Sequence, residues 1–109
     1  MSGPTDLKQM LENVLQSYPD LTGKRMFGGV AYMLNGNMCC GISKNNLILR
    51  LSLLQASDYI NAGIAQPFMP TGRPMKGWVT IVEENLESEG ELSHYLEQAI
   101  NFVKTLPAK

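Results

Sequence analysis

No apolar run in this 109-residue chain approaches the roughly 18 residues that a membrane span needs. Residues 1–6 lack the basic start and apolar stretch of a signal peptide. The chain has only two cysteines, Cys39 and Cys40, and their adjacency rules out a disulfide framework. A reducing cytoplasm is therefore the expected location. Histidine is nearly absent, with His94 alone. One histidine and two cysteines fall short of a structural zinc set, so neither a metal nor a cofactor is expected. Consecutive strand residues also point to opposite faces. That reading puts Cys40 in the core as a small hydrophobe and leaves Cys39 as the candidate reactive thiol. Charge is sparse too, at 17%, but a hydrophobic content of 44% excludes an intrinsically disordered chain.

The same scarcity weighs against catalysis. Nucleophilic chemistry needs a nucleophile, a base and an orienting group in one cleft. His94 lies off the apolar stripe of its segment and reads as a solvent-exposed helix residue. Glu83, Glu84, Glu87, Glu89 and Glu91 read as a solvated loop followed by favourable charge at a helix start. No carboxylate pair stands out. The chain is not expected to be an enzyme.

The length fits one domain, residues 1–109, with enough chain to bury a core without staples. Net charge is −1, but residues 1–23 carry −2, residues 24–76 carry +5 and residues 77–109 carry −4. A basic middle between acidic ends could present an anion-attracting face.

Leu7, Met10, Leu11, Val14, Leu15 and Tyr18 recur at steps of three and four, predicting an amphipathic helix over about 6–18. Thr5 is its expected cap and Pro19 its stop. Asn35-Gly36 between two strand-like runs, 30–34 and 37–43, is a strong hairpin signal. It predicts the pairs Leu34 with Asn37, Met33 with Met38, and Ala31 with Cys40. A second hairpin near Asn45-Asn46 pairs Ile42 with Leu49 and Cys40 with Leu51. These registers place Ala31, Met33, Met38, Cys40, Ile42, Leu47, Leu49 and Leu51 on the core face. Val30, Tyr32, Leu34, Asn37, Cys39, Ile48 and Arg50 fall on the other.

Ser52 can cap a helix over about 53–62, with Leu53, Leu54, Tyr59 and Ile60 available to pack and Gly63 ending it. Prolines and glycines break residues 64–77, so a strand near 65–68 is short, and 75–82 reads as the last strand. Ser88 and Glu91 form a capping box for a final helix. The expected fold is α+β in two layers. A mostly antiparallel sheet carries helices on one face, in the order α-β-β-β-α-β-β-α.

Two basic, glycine-punctuated loops stand out: Lys24-Arg25 before Gly28-Gly29, and Gly72-Arg73-Pro74-Met75-Lys76-Gly77. Glycine-freed amides beside cations can form an anion nest, though neither loop matches a phosphate-binding fingerprint and turn chemistry explains both. Phe27, Tyr32 and Trp78 could stack on bases beside these cations. A pI of 5.7 argues against a dedicated DNA binder. Phe27 and Trp78 also suit the core edge.

Lys24-Arg25-Met26-Phe27-Gly28-Gly29-Val30, the Asn35-Gly36-Asn37-Met38 hairpin and Gly72-Arg73-Pro74-Met75-Lys76-Gly77-Trp78 together resemble the N-terminal domain of TfoX/Sxy-type competence regulators. The resemblance spans roughly residues 5–107. It implies a two-layer α+β fold related to secretion-chaperone-like domains. It also implies a role in transcriptional regulation of natural DNA uptake, in concert with the cAMP receptor protein. Full-length competence regulators carry a second, helical domain, whereas this sequence ends at Lys109. The resemblance supplies no catalytic residues. The candidate interaction residues are therefore Lys24, Arg25, Phe27, Gly28, Gly29, Arg73, Lys76 and Trp78, joined by Arg50 from the outer sheet face. A protein partner from the transcription machinery is expected, with no membrane contact. Direct nucleic-acid binding and the sensing of a small anion or metabolite are the alternatives. Self-association into a homodimer would be one way to cover an apolar outer face.

Overall fold

Helix α1 (Pro4–Leu15) opens on a proline, whose missing N–H costs nothing in a first turn. The computed structural model describes residues 4–26, 29–43, 46–69, 72–86 and 88–108. Thr5 therefore lies inside the first turn and does not precede it. The helix also stops three residues before Tyr18. Pro19 disfavours helical backbone at the residue before it. The end is closed by the Ser17 and Tyr18 amides donating to the Val14 and Leu15 carbonyls at 3.0 and 2.9 Å.

Six strands follow: β1 (Thr22–Met26), β2 (Gly29–Leu34), β3 (Asn37–Ser43), β4 (Asn46–Arg50), β5 (Gln66–Pro67) and β6 (Trp78–Ile81). They form one sheet in the order β1-β2-β3-β4-β6-β5, antiparallel at every junction. Helix α2 (Leu53–Asn61) sits between β4 and β5, and helix α3 (Glu89–Val103) follows β6. The α+β architecture matches the sequence reading, with β1 added where the sequence suggested only an irregular approach. Strand β6 is shorter than expected because residues 75–77 form a turn.

The first hairpin turns through Asn35 and Gly36 at φ 55° and 82°, as a tight turn of this kind requires. Leu34 pairs with Asn37 and Met33 with Met38, as the sequence predicts. Then β3 carries one extra residue. The next pair is Tyr32 with Cys40, and Ala31 meets Gly41 where Cys40 was expected. A one-residue slip exchanges faces. Val30, Tyr32, Leu34 and Asn37 therefore point to the helices, while Ala31, Met33 and Met38 point away. The expected outer position of Cys39 is also corrected: it is fully buried, like Cys40.

The second hairpin is tighter than expected, with Ile42 paired to Leu47 and Cys40 to Leu49. Its turn, residues 44–45, lies outside the described residues. That slip is of two residues, which preserves the face, so Leu47, Leu49 and Leu51 are buried as predicted.

Both later helices start on the predicted serines. The Gln55 amide donates to Ser52 Oγ at 3.1 Å, and the Glu91 amide donates to Ser88 Oγ at 3.2 Å. Helix α3 lays Leu92, Leu96, Ala99, Ile100 and Val103 into the core with Leu7 and Leu11 of α1. Helix α2 joins the same layer through α3. The Tyr59 and Tyr95 rings meet edge-on at 5.7 Å, and Gln55 Nε2 donates to Gln98 Oε1 at 2.7 Å. Among the described residues, no helix is long and apolar enough to cross a membrane.

Among the described residues Asn37 is the buried polar one, 3% exposed, and its Nδ2 donates to the Pro107 carbonyl at 2.9 Å. That bond ties the hairpin to the segment after α3. Asn37→Ala should cost about 1–2 kcal/mol in urea unfolding, since it leaves a partly buried carbonyl without its donor. An unchanged midpoint would show the tie to be idle.

Candidate functional site

The strand order decides which predicted residues meet. Lys24 and Arg25 stand exposed on β1, an edge strand, and Gly29 opens β2 beside them. Arg50 ends β4 and Trp78 begins β6, directly paired. Arg73 and Lys76 are exposed in the loop between β5 and β6. Four strand spacings separate β1 from β6, about 19 Å. The structure therefore splits the candidates into two groups at opposite ends of the sheet. Phe27 and Gly28 lie outside the described residues.

At the β6 end, the Arg50 guanidinium carbon stands 5.4 Å from the Trp78 ring centroid, a cation–π contact. Phe68 tilts against the same ring, with centroids 6.2 Å apart at 43°. By register Arg50 and Trp78 fall on the opposite side of the strands from the buried Leu49 and Val79.

The loop after β5 holds itself. The Met75 amide donates to the Phe68 carbonyl at 2.9 Å, Trp78 to Met75 at 3.0 Å, and Gly72 to Met69 at 3.4 Å. Those amides are engaged within the loop, which weakens an anion-nest reading of it. Gly77 sits at φ +85°, and its carbonyl accepts from the Leu51 amide at 2.7 Å. A Cβ there would lie 2.9 Å from the Leu51 carbonyl oxygen, so this glycine has a structural reason. Gly29 has one as well, because an added Cβ would run into the Ile42 carbonyl of β3.

The sequence reading missed a hollow of about 340 Å³ between α2 and this loop. Leu53, Ala56, Ile60, Pro67, Met75 and Trp78 line it, with Lys76 at its margin. Leu53 was expected to pack, yet it is 64% exposed, and Met75 is 40% exposed. The available signal was Leu53-Leu54 opening a short helix, where neighbours about 100° apart cannot both face one core.

The other chemical candidates resolve simply. His94 is exposed beside the Tyr95 ring. Among the described residues, no group of three or more His, Cys, Asp or Glu could hold a metal ion. The Cys40 thiol is pushed well above its ordinary 9.0 by its bond with Cys39 and by burial. Folding thus favours the neutral thiol. Its contribution to stability is full below that ordinary value and falls as pH rises above it.

Gly77→Ala should destabilise the fold by about 1–3 kcal/mol in thermal or urea unfolding, because φ and the Leu51 carbonyl both oppose a methyl group. Neither thiol should react with Ellman's reagent at pH 8 in the native state, and both should react in denaturant. Fast native labelling would contradict the burial of this pair.

Among curated proteins nothing matches the chain. The family model described as the TfoX N-terminal domain matches residues 13–103, which contain the whole sheet, α2, α3 and the β5–β6 loop. The chain belongs to the TfoX N-terminal domain family.

Proposed function

We propose that this domain is a non-enzymatic protein-interaction module of the cytoplasm that helps regulate genes for natural DNA uptake. It acts by touching the transcription machinery, with the cAMP receptor protein as its first candidate partner. The observation that carries this reading is membership of the TfoX N-terminal domain family over residues 13–103. The exposed cations of the β5–β6 loop, Arg73 and Lys76, are the contact residues we assign, with Arg50 and Trp78 beside them. The β1 cations Lys24 and Arg25 stand too far away to share that contact and form a separate candidate surface. The Arg50–Trp78–Phe68 cluster speaks against base stacking, because a cation and a second ring already engage the indole.

The test is binding of the immobilised chain to the cAMP receptor protein, with and without a DNA duplex. Saturable association is expected. Arg73→Ala with Lys76→Ala should weaken it about three- to tenfold at an unchanged melting temperature, as charges at the rim of an interface do. Equal affinity in the double variant would remove those residues from the contact. Duplex alone, followed by fluorescence anisotropy at low and near-physiological salt, should give flat titrations. Saturable binding that falls steeply with salt would transfer the assignment to nucleic acid, since phosphate contacts release counterions.

A further inference from the structure

The described residues include four exposed large hydrophobics, Leu53, Leu54, Met69 and Met75. All four fall on the first turn of α2 or in the loop between β5 and β6. Scattered single apolar residues are ordinary on a surface, so what counts is which of these four share one concavity. Leu53 and Met75 are the two that line the hollow between those segments.

Helix α2 explains why Leu53 is left outside the core. Successive residues turn by about 100°. Gln55 and Tyr59 point to α3, where they meet Gln98 and Tyr95. Leu53, Ser57 and Ile60 point to the other side and line the hollow. The opposite wall is Pro67 with Pro74 and Met75, held by the loop's own hydrogen bonds and by the Leu51–Gly77 bond. The methionine supplies an adaptable surface for an incoming side chain.

Charge selects the occupant. Lys76 is the charged residue that lines the hollow, and Arg73 stands exposed in the same loop. Among the described residues, no aspartate or glutamate lines it. Asp58 lies about 140° round α2 from Leu53, on another side of the helix.

The geometry points to the α2/β5–β6 hollow as a docking groove for a short partner-protein segment that carries large apolar side chains flanked by carboxylates. The apolar side chains enter between Leu53 and Met75, and the carboxylates meet Lys76 and Arg73. This rests on the interaction-module reading and names its site.

The probe is a fluorescein-labelled amphipathic peptide of about 14 residues, with Leu at i, i+3, i+4 and i+7 and Asp or Glu elsewhere. Its counterpart has Lys in place of every acid. Anisotropy with the full chain should show saturable binding of the acidic peptide and binding at least about tenfold weaker for the basic one. Leu53→Ser with Met75→Ser should weaken acidic-peptide binding by about tenfold or more, and Lys76→Glu by about three- to tenfold. Leu53 and Met75 are exposed, so near-ultraviolet circular dichroism and melting temperature should match the parent chain.

Equal binding of both peptides, or no saturable binding by the folded parent chain, overturns the proposal. A dimer seen by sedimentation and abolished by Leu53→Ser with Met75→Ser overturns it in favour of a second copy. Failure of the peptide arm while the chain still binds the cAMP receptor protein overturns the groove alone and leaves the interaction reading standing.

Discussion

A sheet covered on one face must present its apolar side chains with a single parity, and β3 cannot do so by simple alternation. Asn37 has to face the helices, because its side chain holds the Pro107 carbonyl. Cys40, paired with Tyr32 and Leu49, faces them as well. Positions 37 and 40 differ by an odd number, so a regular strand would turn one of them outward. The extra residue at Cys39 reconciles the two demands. It lets Leu34 and Asn37 close the lower end of the core while Cys40 and Leu49 fill its centre. The docking of α3 on β3 and β4 depends on that reconciliation.

The same residue explains what could be read from the sequence and what could not. Helices, the two serine caps and the Asn35-Gly36 turn are local signals that the sequence showed, whereas the expected Thr5 cap falls inside its helix. Ser52, Ser88, Gly63 and the first two hairpin pairs stand where they were expected. Register beyond a turn is not local. A bulge leaves no compositional mark in Met38-Cys39-Cys40, so the faces of Met33 and Met38 were read in reverse. The second hairpin was misread by two residues without consequence, because a two-residue slip restores the face. Strand β1 escaped notice since Thr22-Gly23-Lys24-Arg25 has no alternating apolar pattern. An edge strand whose side chains are mostly exposed needs none.

The candidate site was half legible. Motif spacing picked out Arg73, Lys76 and Trp78, and face arithmetic placed Arg50 correctly on the outer side of β4. Nothing in the sequence said that β6 would pair with β4 and so put Trp78 beside Arg50. Nor did it say that three intervening strands would part the two basic loops. Such facts depend on the order of strands in space. The Leu51–Gly77 backbone bond shows how closely the elements of this region are tied. It joins the residue before the α2 cap to the last residue of the β5–β6 loop, so the two walls of the hollow start from neighbouring points.

The placement of α3 has a consequence for biosynthesis. Strands β1 to β4 form a meander, each paired with the next in sequence, so they can assemble as they leave the ribosome. Their helix-facing row, with Leu47 and Leu49 at its centre, gains its main cover only from Leu92, Leu96, Ala99 and Val103. At about 5–20 residues per second, translation leaves this apolar surface open for several seconds before α3 is made. A nascent chain in that interval carries a greasy, half-built sheet, the kind of exposed apolar surface that favours aggregation until α3 covers it.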